Sequence, residues 1–433
     1  MMKVDVILGL QWGDEGKGKI VDVFTDDYDV IARFQGGPNA GHTLEFDGKK
    51  HVLHTIPSGI FHPGKMNLIG NGVILDPRIF VKELQGLDAH GINYRASLHI
   101  SRRAHLILPT HRLMDACLEH MKGDNKIGST LKGIGPTYTD KVARQGLRVG
   151  DLEAGDFNDR YNRLKSWHFQ LMQGLGFDPL GLVIEGMPFG AYEREWFVAA
   201  DTIRELSLVD SEQLIHAMLA SGKRILAEGA QGALLDVDFG SYPFVTSSNT
   251  IASAACTGLG IPPQAIDEVY GVFKAYCTRV GSGPFPTELL NETGDALRKH
   301  GHEFGSTTGR PRRCGWVDLP ALKYATAING VTRLIMTKAD VLSPFEQIGI
   351  CDAYQINNET FSQWNYRCET DQVIPQLRHL PGWREDITQI NHLQEIPGPL
   401  MEYIRLLEKE LGVPMQYLST GPDRCQMVAL DKR

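Results

Sequence analysis

The chain has 433 residues, of which 42% are hydrophobic and 22% are charged, a composition typical of a globular protein and not of a disordered one. Its length exceeds the ~250–300 residues that one simple core usually serves, so we expect either two domains or one large, elaborated α/β unit. The net charge of −8 argues against a general nucleic-acid-binding surface, although it leaves room for local basic sites that bind small anions.

The cysteines and the apolar segments of the sequence indicate the cellular compartment in which the protein is expected. The seven cysteines are odd in number and scattered, and none forms a Cys-x-x-Cys pair, so neither a disulfide framework nor a zinc ribbon is supported. No uncharged apolar run reaches the ~18 residues that a membrane span requires. Asp5 interrupts the first apolar segment, which therefore predicts a strand and not a signal peptide. We expect a reduced, cytoplasmic protein without membrane or nucleic-acid partners.

A glycine-rich loop follows the first predicted strand, Val4–Leu8, and precedes a predicted helix that starts near Ile20. From Gly13 to Lys19 the letters read Gly-x-x-x-x-Gly-Lys, the phosphate-loop pattern up to its last position. Backbone N–H groups and the positive helix end make such a turn an anion site. The alternative is a glycine-rich turn that carries surface charges.

Two positions of this loop depart from the usual phosphate loop. Ile20 stands where a magnesium-binding Ser or Thr is expected, and Asp14 places a carboxylate where most such loops have none. A carboxylate that faces phosphates is repelled unless it binds a cation or accepts a proton. We therefore predict that Asp14 holds the metal ion and also acts as a base.

A second polar loop, residues 35–43, follows the predicted strand 30–34. It contains three glycines and places His42 beyond the carboxyl end of a strand, where open α/β sheets bind ligands. Imidazole titrates near neutral pH, so we predict an electrophile or acid role for His42; the alternative is a hydrogen-bonded loop histidine. The dipeptide Asp47-Gly48 predicts a hairpin just after it.

The middle of the chain predicts helices, a basic loop and an insert. Residues Pro77–Gly91 and Arg112–Met121 have helical patterns, and Lys126–Tyr138 reads as a polar loop whose lysines and hydroxyls suit an anionic ligand. Aromatic and apolar residues recur at helical spacing over about 156–221, which predicts a helical insert with a packed stripe.

A second basic loop spans residues 305–316 and contains Arg310, Arg312 and Arg313. Guanidinium groups bind carboxylates and phosphates bidentately, so we predict that this loop binds such a ligand. The alternative is a solvated run of charges.

A nucleotide-selecting motif, Thr337-Lys338-Ala339-Asp340, follows the predicted strand 331–337. Guanine presents two adjacent donors, N1–H and the 2-amino group, and one carboxylate accepts both, whereas adenine offers no such pair. Together with the first loop, this motif predicts GTP binding. Ser419-Thr420-Gly421 is expected to close the other side of the base.

These motifs together resemble the adenylosuccinate synthetase family, whose members join IMP and L-aspartate with the use of GTP. The resemblance implies one α/β domain over residues 1–433, with a large, mostly parallel central sheet flanked by helices and a helical insert near 156–221. It covers essentially the whole chain and is carried by Gln11–Lys19, Asn39–Thr43, Lys132–Pro136, Glu228–Gly232, Thr246–Asn249, Thr307–Arg310, Thr337–Asp340 and Ser419–Arg424.

The resemblance also implies a mechanism and its catalytic residues. Asp14 matches the base that removes the proton from N1 of IMP, so that the 6-oxygen attacks the γ-phosphorus of GTP and gives 6-phosphoryl-IMP. The amino group of aspartate then displaces phosphate. His42 matches the group that hydrogen-bonds the 6-oxygen and the γ-phosphate, Lys17 would neutralise charge on the phosphoryl group, and Gln231 completes the catalytic set. Asp14 and the carbonyl of Gly41 match the Mg²⁺ ligands.

The resemblance implies three overlapping sets of binding residues. The GTP set is Gly13, Asp14, Glu15, Gly16, Lys17, Gly18, Lys19, Gly41, His42, Thr43, Arg312, Lys338, Ala339, Asp340, Ser419, Thr420 and Gly421. The IMP set is Asp14, Glu15, Gly16, Lys17, Asn39, Ala40, Gly41, His42, Thr130, Arg144, Gln231, Thr246 and Arg310. The aspartate set is Ser306, Thr307, Thr308, Gly309, Arg310, Pro311 and Arg312.

Two further implications concern single basic residues. Arg144 matches a residue that reaches the IMP phosphate from a second subunit, so a homodimer is implied. Lys132 stands where relatives usually carry Arg, in a loop near aspartate. A lysine keeps the charge but loses the bidentate fork, which would affect aspartate affinity and not the reaction type.

Two other functions compete with this one. A regulatory GTPase needs a metal-binding Ser or Thr at the loop end and an Asp-x-x-Gly switch at a strand end, yet the chain has Ile20 and an Asp88–Gly91 match at the end of a predicted helix. A GTP-dependent kinase for a small hydroxyl compound has no need of an arginine-rich loop for a third, dicarboxylate substrate.

Overall fold

A computed structural model describes residues 3–46, 48–123, 126–305, 309–370 and 372–430. The described strands are β1 Val4–Gly9, β2 Val30–Arg33, β3 His42–Phe46, β4 Lys49–Leu53, β5 Met66–Ile69, β6 Ile74–Leu75, β7 Leu98–Ser101, β8 His105–Leu106, β9 Val183–Ile184, β10 Met187–Pro188, β11 Ser207–Val209, β12 Ile225–Glu228, β13 Ile266–Lys274, β14 Cys277–Arg279, β15 Arg313–Gly315, β16 Val317–Asp318, β17 Arg333–Thr337, β18 Gln347–Ile356, β19 Glu359–Phe361, β20 Ile374–Pro381, β21 Met415–Ser419 and β22 Met427–Ala429. The described helices are α1 Lys17–Phe24, α2 Pro77–Ala89, α3 Pro109–Met121, α4 Ile134–Ala143, α5 Phe157–Gly174, α6 Phe189–Arg204, α7 Ser211–Ala220, α8 Ala254–Leu259, α9 Glu292–His300, α10 Leu319–Asn329, α11 Arg367–Thr370 and α12 Gly398–Leu411.

The centre of the molecule is a ten-stranded sheet in the order β11-β7-β5-β2-β12-β1-β13-β17-β21-β22. All neighbouring strands are parallel except β22, which runs antiparallel to β21. The expected α/β fold with a large, mostly parallel sheet is therefore confirmed.

Helices cover both faces of this sheet, and the sequence of the central strands shows why. Strand β1 is buried along its whole length, as are β2 and β12, so both faces of these strands must be covered. Val6 and Leu8 of β1 face the largest core cluster, whereas Ile7 packs on the opposite face with Ile20 of α1. Helix α1 thus covers one face directly after the glycine-rich loop.

The segment 156–221 is mainly helical, as expected, but it is not helical throughout. It contains the β9–β10 hairpin and the strand β11, which pairs in parallel with β7 and forms one edge of the central sheet. The helical stripe predicted over this segment includes Leu206 and Leu208, although their spacing of two residues is that of a strand and Leu208 lies in β11. Part of the expected insert therefore belongs to the central sheet.

The polar loop predicted at 126–138 is shorter than expected. Helix α4 starts at Ile134, directly after Gly133 in the left-handed region, and Pro136 lies within the first turn of the helix. The hairpin predicted around Asp47-Gly48 is confirmed by the antiparallel pair β3–β4, although Asp47 itself lies outside the described residues. Within the described ranges, no helix combines the length and the hydropathy needed to cross a membrane.

The predicted site residues collect at one edge of the sheet. Strands β2, β12, β1, β13, β17 and β21 are consecutive neighbours and all run parallel, so their carboxyl ends meet at the same edge. From that edge extend Asn39–Thr43 after β2, Gln231 and Thr246 after β12, Gly13–Lys19 after β1, Lys338–Asp340 after β17 and Ser419–Gly421 at the end of β21.

Candidate active site

The glycine-rich loop connects β1 to α1 and has an unusual backbone. Gly13 and Gly16 have φ of 87° and 84°, and Asp14 has φ of 60°. Glycine takes such angles without strain, and aspartate is among the few other residues that tolerate them. The turn brings the chain to the N-terminus of α1 at Lys17, where backbone N–H groups lack helical partners.

The carboxylate of Glu15 points back into the glycine-rich loop and away from the side on which a phosphate ligand is expected. It accepts hydrogen bonds from the backbone N–H of Gln11 at 3.1 Å and of Gly13 at 2.8 Å, and from Lys17 Nζ at 2.5 Å. A Cβ on Gly9 would lie 2.2 Å from the same carboxylate, so only glycine fits there. Glu15 could therefore contribute to the predicted GTP and IMP sites only through its backbone.

The two lysines of the loop have different partners. Lys17 Nζ also donates to the backbone oxygen of Gln231 at 2.5 Å, which ties α1 to the loop after β12. Lys19 Nζ donates to Ser419 Oγ at 2.8 Å and to the backbone oxygens of Gly421 at 2.7 Å and Gln426 at 2.9 Å. Burial lowers the pKa of Lys19 to about 8. Lys19 thus connects the phosphate loop to the segment 419–426.

Asp14 presents its carboxylate to the open side of the loop. Its side chain is 32% exposed, and Arg312 Nε lies 2.8 Å from Asp14 Oδ2. A carboxylate that is accessible and close to a cation has the properties expected of a metal ligand or a base.

His42 begins β3 and lies against the first turn of α1. A Cβ on Gly18 would be 2.9 Å from the Cβ of His42, so glycine at position 18 permits this approach. His42 Nδ1 lies 3.3 Å from Arg33 NH1, and Nε2 lies 3.5 Å from Glu228 Oε1. Burial and then Arg33 hold the pKa of His42 well below its usual value, so the imidazole is neutral. Because Arg33 can only donate, Nδ1 accepts and Nε2 carries the proton.

Arg33 and Glu228 are functional-site neighbours to which the sequence motifs assigned no role. Both side chains are fully buried, and Ser58 donates from its backbone N and its Oγ to the Glu228 carboxylate, each at 2.9 Å. Each residue is the last of its strand, β2 and β12. Charged residues at the ends of apolar strands are the sequence signal that could have identified them.

On the IMP side, the structure brings some predicted residues together and leaves others apart. Gln231 Nε2 donates to Asn39 Oδ1 at 3.2 Å, while Gln231 Oε1 is buried without a hydrogen-bond partner among the described residues. Thr130 and Arg144 are exposed, and within the described ranges no side-chain hydrogen bond links either of them to this pair. Arg144 lies at the C-terminus of α4 with φ of 63°.

On the guanine side, the strand ends β17 and β1 are directly linked. Thr337 Oγ1 donates to the backbone oxygen of Glu15 at 2.7 Å, and Lys338 Nζ donates to that of Gly301 at 2.9 Å. Burial raises the pKa of Asp340, although Lys338 and Lys19 act in the opposite direction. A half-buried carboxylate at this strand end is suited to accept both N–H groups of guanine.

The three arginines of the basic loop before β15 lie in different surroundings. Ser306, Thr307 and Thr308 lie outside the described residues. Arg310 is exposed, Arg312 turns inward to Asp14, and Arg313 pairs with Glu288 at 2.5 Å. Arg313 therefore stabilises the loop. The backbone N–H of Gly309 donates to the backbone oxygen of Gly305 at 2.8 Å.

Lys132 belongs to a separate charged cluster. Its Nζ lies 3.8 Å from Glu185 Oε1, which also pairs with Arg112 at 2.8 Å. Glu185 is at the tip of the β9–β10 hairpin with φ of 51°. In this structure Lys132 contacts that hairpin, and burial lowers its pKa.

Apart from Asp14, one group of side chains among the described residues has the composition of a metal site. The group is His111, Asp140 and His168, and both histidine Nε2 atoms lie against Asp140 Oδ2, at 2.8 and 2.9 Å. His111 Nδ1 accepts from the backbone N–H of Leu108 at 2.9 Å, so its Nε2 carries the proton. These are hydrogen bonds that fix α4, the helix that ends at Arg144.

Comparisons with known proteins agree over nearly the whole chain. The family model described as "Adenylosuccinate synthetase" matches residues 6–428. The chain is 57% identical over 427 residues to "Adenylosuccinate synthetase" of Christiangramia forsetii, covering 99% of this chain and 100% of that protein. It is 56% identical to the protein of the same name from Bacteroides fragilis, with 99% of each covered. It also resembles the solved structure of fully ligated adenylosuccinate synthetase from Plasmodium falciparum, with a TM-score of 0.91, 36% identity, and coverage of 99% and 100%.

Proposed function

The chain belongs to the adenylosuccinate synthetase family and joins L-aspartate to IMP with GTP in AMP biosynthesis, and we propose that Asp14, Lys17 and His42 carry out this reaction. The observation that supports these roles best is the order of the strands. IMP residues follow β2 and β12, the phosphate loop follows β1, and guanine residues follow β17 and β21. The γ-phosphate of a GTP molecule laid along this edge would point toward the IMP side.

Asp14 is the proposed base. It removes the proton from N1 of IMP, and the electron pair released makes the 6-oxygen a nucleophile toward the γ-phosphorus. The 6-oxygen–phosphorus bond forms as the bond to GDP breaks. The amino group of aspartate then attacks C6, and phosphate leaves. Exposure of the Asp14 carboxylate at the mouth of the loop supports this role.

Mg²⁺ is proposed to bind at Asp14 and at the carbonyl of Gly41. A carboxylate and a carbonyl are the hard oxygen donors that this ion prefers, and the guanidinium already next to Asp14 shows that the position tolerates a positive charge. When bound, the ion would neutralise charge on the phosphate oxygens. With these ligands the loop has no need of a hydroxyl at position 20.

His42 and Lys17 are proposed to stabilise the transferred phosphoryl group. The neutral imidazole carries its proton on Nε2, which lies 3.4 Å from the backbone oxygen of Ile56, and it is proposed to donate that proton in a hydrogen bond to a phosphate or 6-oxygen once the substrates bind. Lys17 brings a positive charge to the same helix N-terminus. Preorganised donors of this kind account for most of the catalysis of phosphoryl transfer.

A homodimer that shares its active sites is also proposed, with Arg144 bound to the IMP phosphate of the partner subunit. The guanidinium of Arg144 is exposed, and Val142 on the same helix is 80% exposed, which is unusual for a large apolar residue and fits a surface that another chain covers. We further propose that residues 1–433 act as one domain and that the protein is cytoplasmic, in agreement with its seven free thiols.

The mechanism is tested by following oxygen. IMP labelled with ¹⁸O at the 6-position is turned over with GTP, aspartate and Mg²⁺, and the released phosphate is examined by mass spectrometry. Attack by the 6-oxygen transfers the label into phosphate. Unlabelled phosphate would reject the 6-phosphoryl intermediate, and GTP hydrolysis that is independent of IMP and aspartate would favour a regulatory GTPase.

A further inference from the structure

Glu303 lies at the base of the basic loop, opposite Arg312. Its backbone oxygen accepts a hydrogen bond from the backbone N–H of Arg312 at 2.9 Å, and Phe304 and Pro311 form the next bridge. The Glu303 side chain is fully buried, with an exposure of 0%. A buried carboxylate next to a substrate loop requires an explanation, because a charge is removed from water at a cost unless it is paired.

The partners of this carboxylate are the cationic groups of Lys274 and Arg312 and the hydroxyl group of Tyr276. Glu303 Oε1 accepts from Lys274 Nζ at 2.8 Å and from Tyr276 OH at 2.5 Å, while Oε2 accepts from Arg312 NH1 at 2.6 Å. Burial by itself would raise the pKa of Glu303, but Lys274, Lys338 and Arg312 lower it to about 2. The group is therefore a carboxylate at neutral pH, fixed by three donors.

Lys274 fixes this arrangement to the strand next to the phosphate loop. It is the last residue of β13, which pairs with β1 on one side and β17 on the other, and its side chain is fully buried. Lys274 Nζ also donates to Thr278 Oγ1 at 2.7 Å. The position of the Glu303 carboxylate is thus set by the sheet and not by the exposed part of the loop.

Two nitrogens of the Arg312 guanidinium group, NH1 and Nε, have different surroundings. NH1 is bound to Glu303, whereas Nε lies 2.8 Å from Asp14 Oδ2 without the alignment of a hydrogen bond, and Nε has no acceptor among the described residues. An arginine side chain is flexible and loses much rotamer freedom when it is fixed. The anchor at NH1 therefore holds the guanidinium beside Asp14, with Nε 2.8 Å from that carboxylate.

We infer that Glu303 is a positioning residue for the ligation reaction, which holds the Arg312 guanidinium beside Asp14 and at the entrance of the substrate loop. The inference rests on the proposed role of Arg312 in binding GTP and aspartate. Glu303 itself touches no substrate. It acts through Arg312, in the way that residues behind a binding group fix its geometry.

The first test is Glu303→Gln, which keeps the shape of the side chain and removes its charge. We expect kcat/KM for aspartate or GTP to fall by about tenfold to a hundredfold, the usual range for groups that orient a binding residue. The matched control is Asp5→Asn. Asp5 is also buried and accepts from Tyr28 OH at 2.6 Å and Arg224 NH2 at 3.3 Å, but it lies near the opposite end of β1. Asp5→Asn is expected to keep kcat/KM within about twofold.

The second test separates positioning from general stability by a double-mutant cycle with Arg312→Met. If Glu303 acts through Arg312, Glu303→Gln lowers activity by less than about twofold once Arg312 is absent. Equal losses in both backgrounds, or wild-type activity of Glu303→Gln alone, would overturn the inference. Wild-type activity of Arg312→Met would instead reject the proposed role of Arg312.

Loss of the buried charge could leave Lys274 unpaired and prevent folding. In that event the same cycle is run with the double replacement Lys274→Met/Glu303→Gln, which removes both buried charges together. Circular dichroism and thermal unfolding confirm that each variant is folded before kinetics are measured. The double replacement is again expected to lower activity by less than about twofold once Arg312 is absent. Equal losses with and without Arg312 would again overturn the inference.

Discussion

At the scale of single residues, Asp14 combines an unusual backbone with an accessible carboxylate. Its φ of 60° lies in the left-handed region, where asparagine and aspartate are tolerated better than alanine. Any replacement must respect this backbone, because an alanine there would add strain to the loss of the carboxylate. A variant that tolerates the same backbone is therefore needed if a loss of activity is to report on the carboxylate alone.

The first prediction uses Asp14→Asn, which keeps the backbone preference and removes the base. Turnover with IMP, GTP and aspartate should fall at least a thousandfold, since an amide neither accepts the N1 proton nor holds Mg²⁺ as a carboxylate does. Unfolding by urea should be nearly unchanged. Activity within tenfold of the wild type would show that Asp14 is not the base.

The second prediction concerns the nucleobase that Asp340 is proposed to select. Asp340→Asn should shift nucleotide preference from GTP to xanthosine triphosphate, because the amide offers a donor where xanthine has a carbonyl acceptor. The ratio of kcat/KM values for the two nucleotides is the measurement, and Asp340→Ala is the control that removes the acceptor without adding a donor. An unchanged ratio would rule out guanine recognition by this residue.

The sequence indicated which residues gather at one edge of the central sheet better than it indicated how their side chains are oriented. Glu15 and Lys19 were both predicted as GTP contacts, yet the Glu15 carboxylate binds its own loop and Lys19 binds the segment 419–426. The direction of a side chain depends on loop torsions such as those of Asp14 and Gly16, which letters do not reveal. Arg33 and Glu303 were missed because they belong to no phosphate or guanine motif.

At the scale of elements, helix α1 connects the phosphate loop to residues 419–426, which contain the proposed guanine contacts and are called the guanine loop below. Lys19 lies in its first turn and donates three hydrogen bonds to residues 419–426, and Thr337 donates to the phosphate-loop backbone. The two loops proposed to bind opposite ends of GTP are therefore joined by side chains, so a change in one loop should alter the other.

The third prediction tests this connection with Lys19→Met. Two backbone carbonyls and Ser419 lose a buried donor, which typically costs ~1–3 kcal/mol and should displace the guanine loop. KM for GTP should rise about tenfold or more with a smaller change in kcat. Lys17→Met is the comparison and should mainly lower kcat. A loss of kcat alone in Lys19→Met would assign Lys19 to the phosphates.

Elements with strong patterns were predictable, and short ones were not. The strands before the two nucleotide loops are buried apolar runs, and α2 has a proline near its start, so their letters predict them well. Strand β11 has only three residues, and its alternation was absorbed into a helical stripe. Pairing with β7 stabilises it, and that tertiary contact has no local signal.

At the scale of the whole molecule, the order of the strands determines the order of the predicted site loops along the sheet edge. Strand β12 inserts between β2 and β1, so Gln231 comes to lie between the loops of His42 and Asp14 although it is distant in sequence. The sequence motifs identify these loops one by one and do not show that they are neighbours. Their arrangement along one sheet edge depends on long-range parallel pairing, which periodicity does not reveal.

The fourth prediction concerns stability and pH. Burial lowers the pKa of His105 to about 3 and of His111 to about 4, and it holds that of His42 well below its usual value. Below pH ~6.5 the unfolded chain therefore binds protons that the native state does not, and stability falls as pH decreases toward 4. Each such group contributes up to about 1.4 kcal/mol per pH unit. His62, whose pKa Asp22 raises, opposes this trend.

Urea unfolding at pH 7.5, 6.0 and 5.0 measures this dependence. The matched variant His105→Gln removes one titrating group and should make the loss of stability between pH 6 and pH 5 shallower by about one proton. Parallel curves for the variant and the wild type would show that His105 is not held neutral in the native state.

The role of Asp14 is tested most directly by a crystal structure with IMP, Mg²⁺ and a non-hydrolysable GTP analogue. The quantity to measure is the distance from the nearer Asp14 carboxylate oxygen to N1 of IMP. We predict a hydrogen bond of about 2.7–3.2 Å, with the other oxygen bound to Mg²⁺. A carboxylate that remains paired with Arg312 and does not approach N1 would contradict the account.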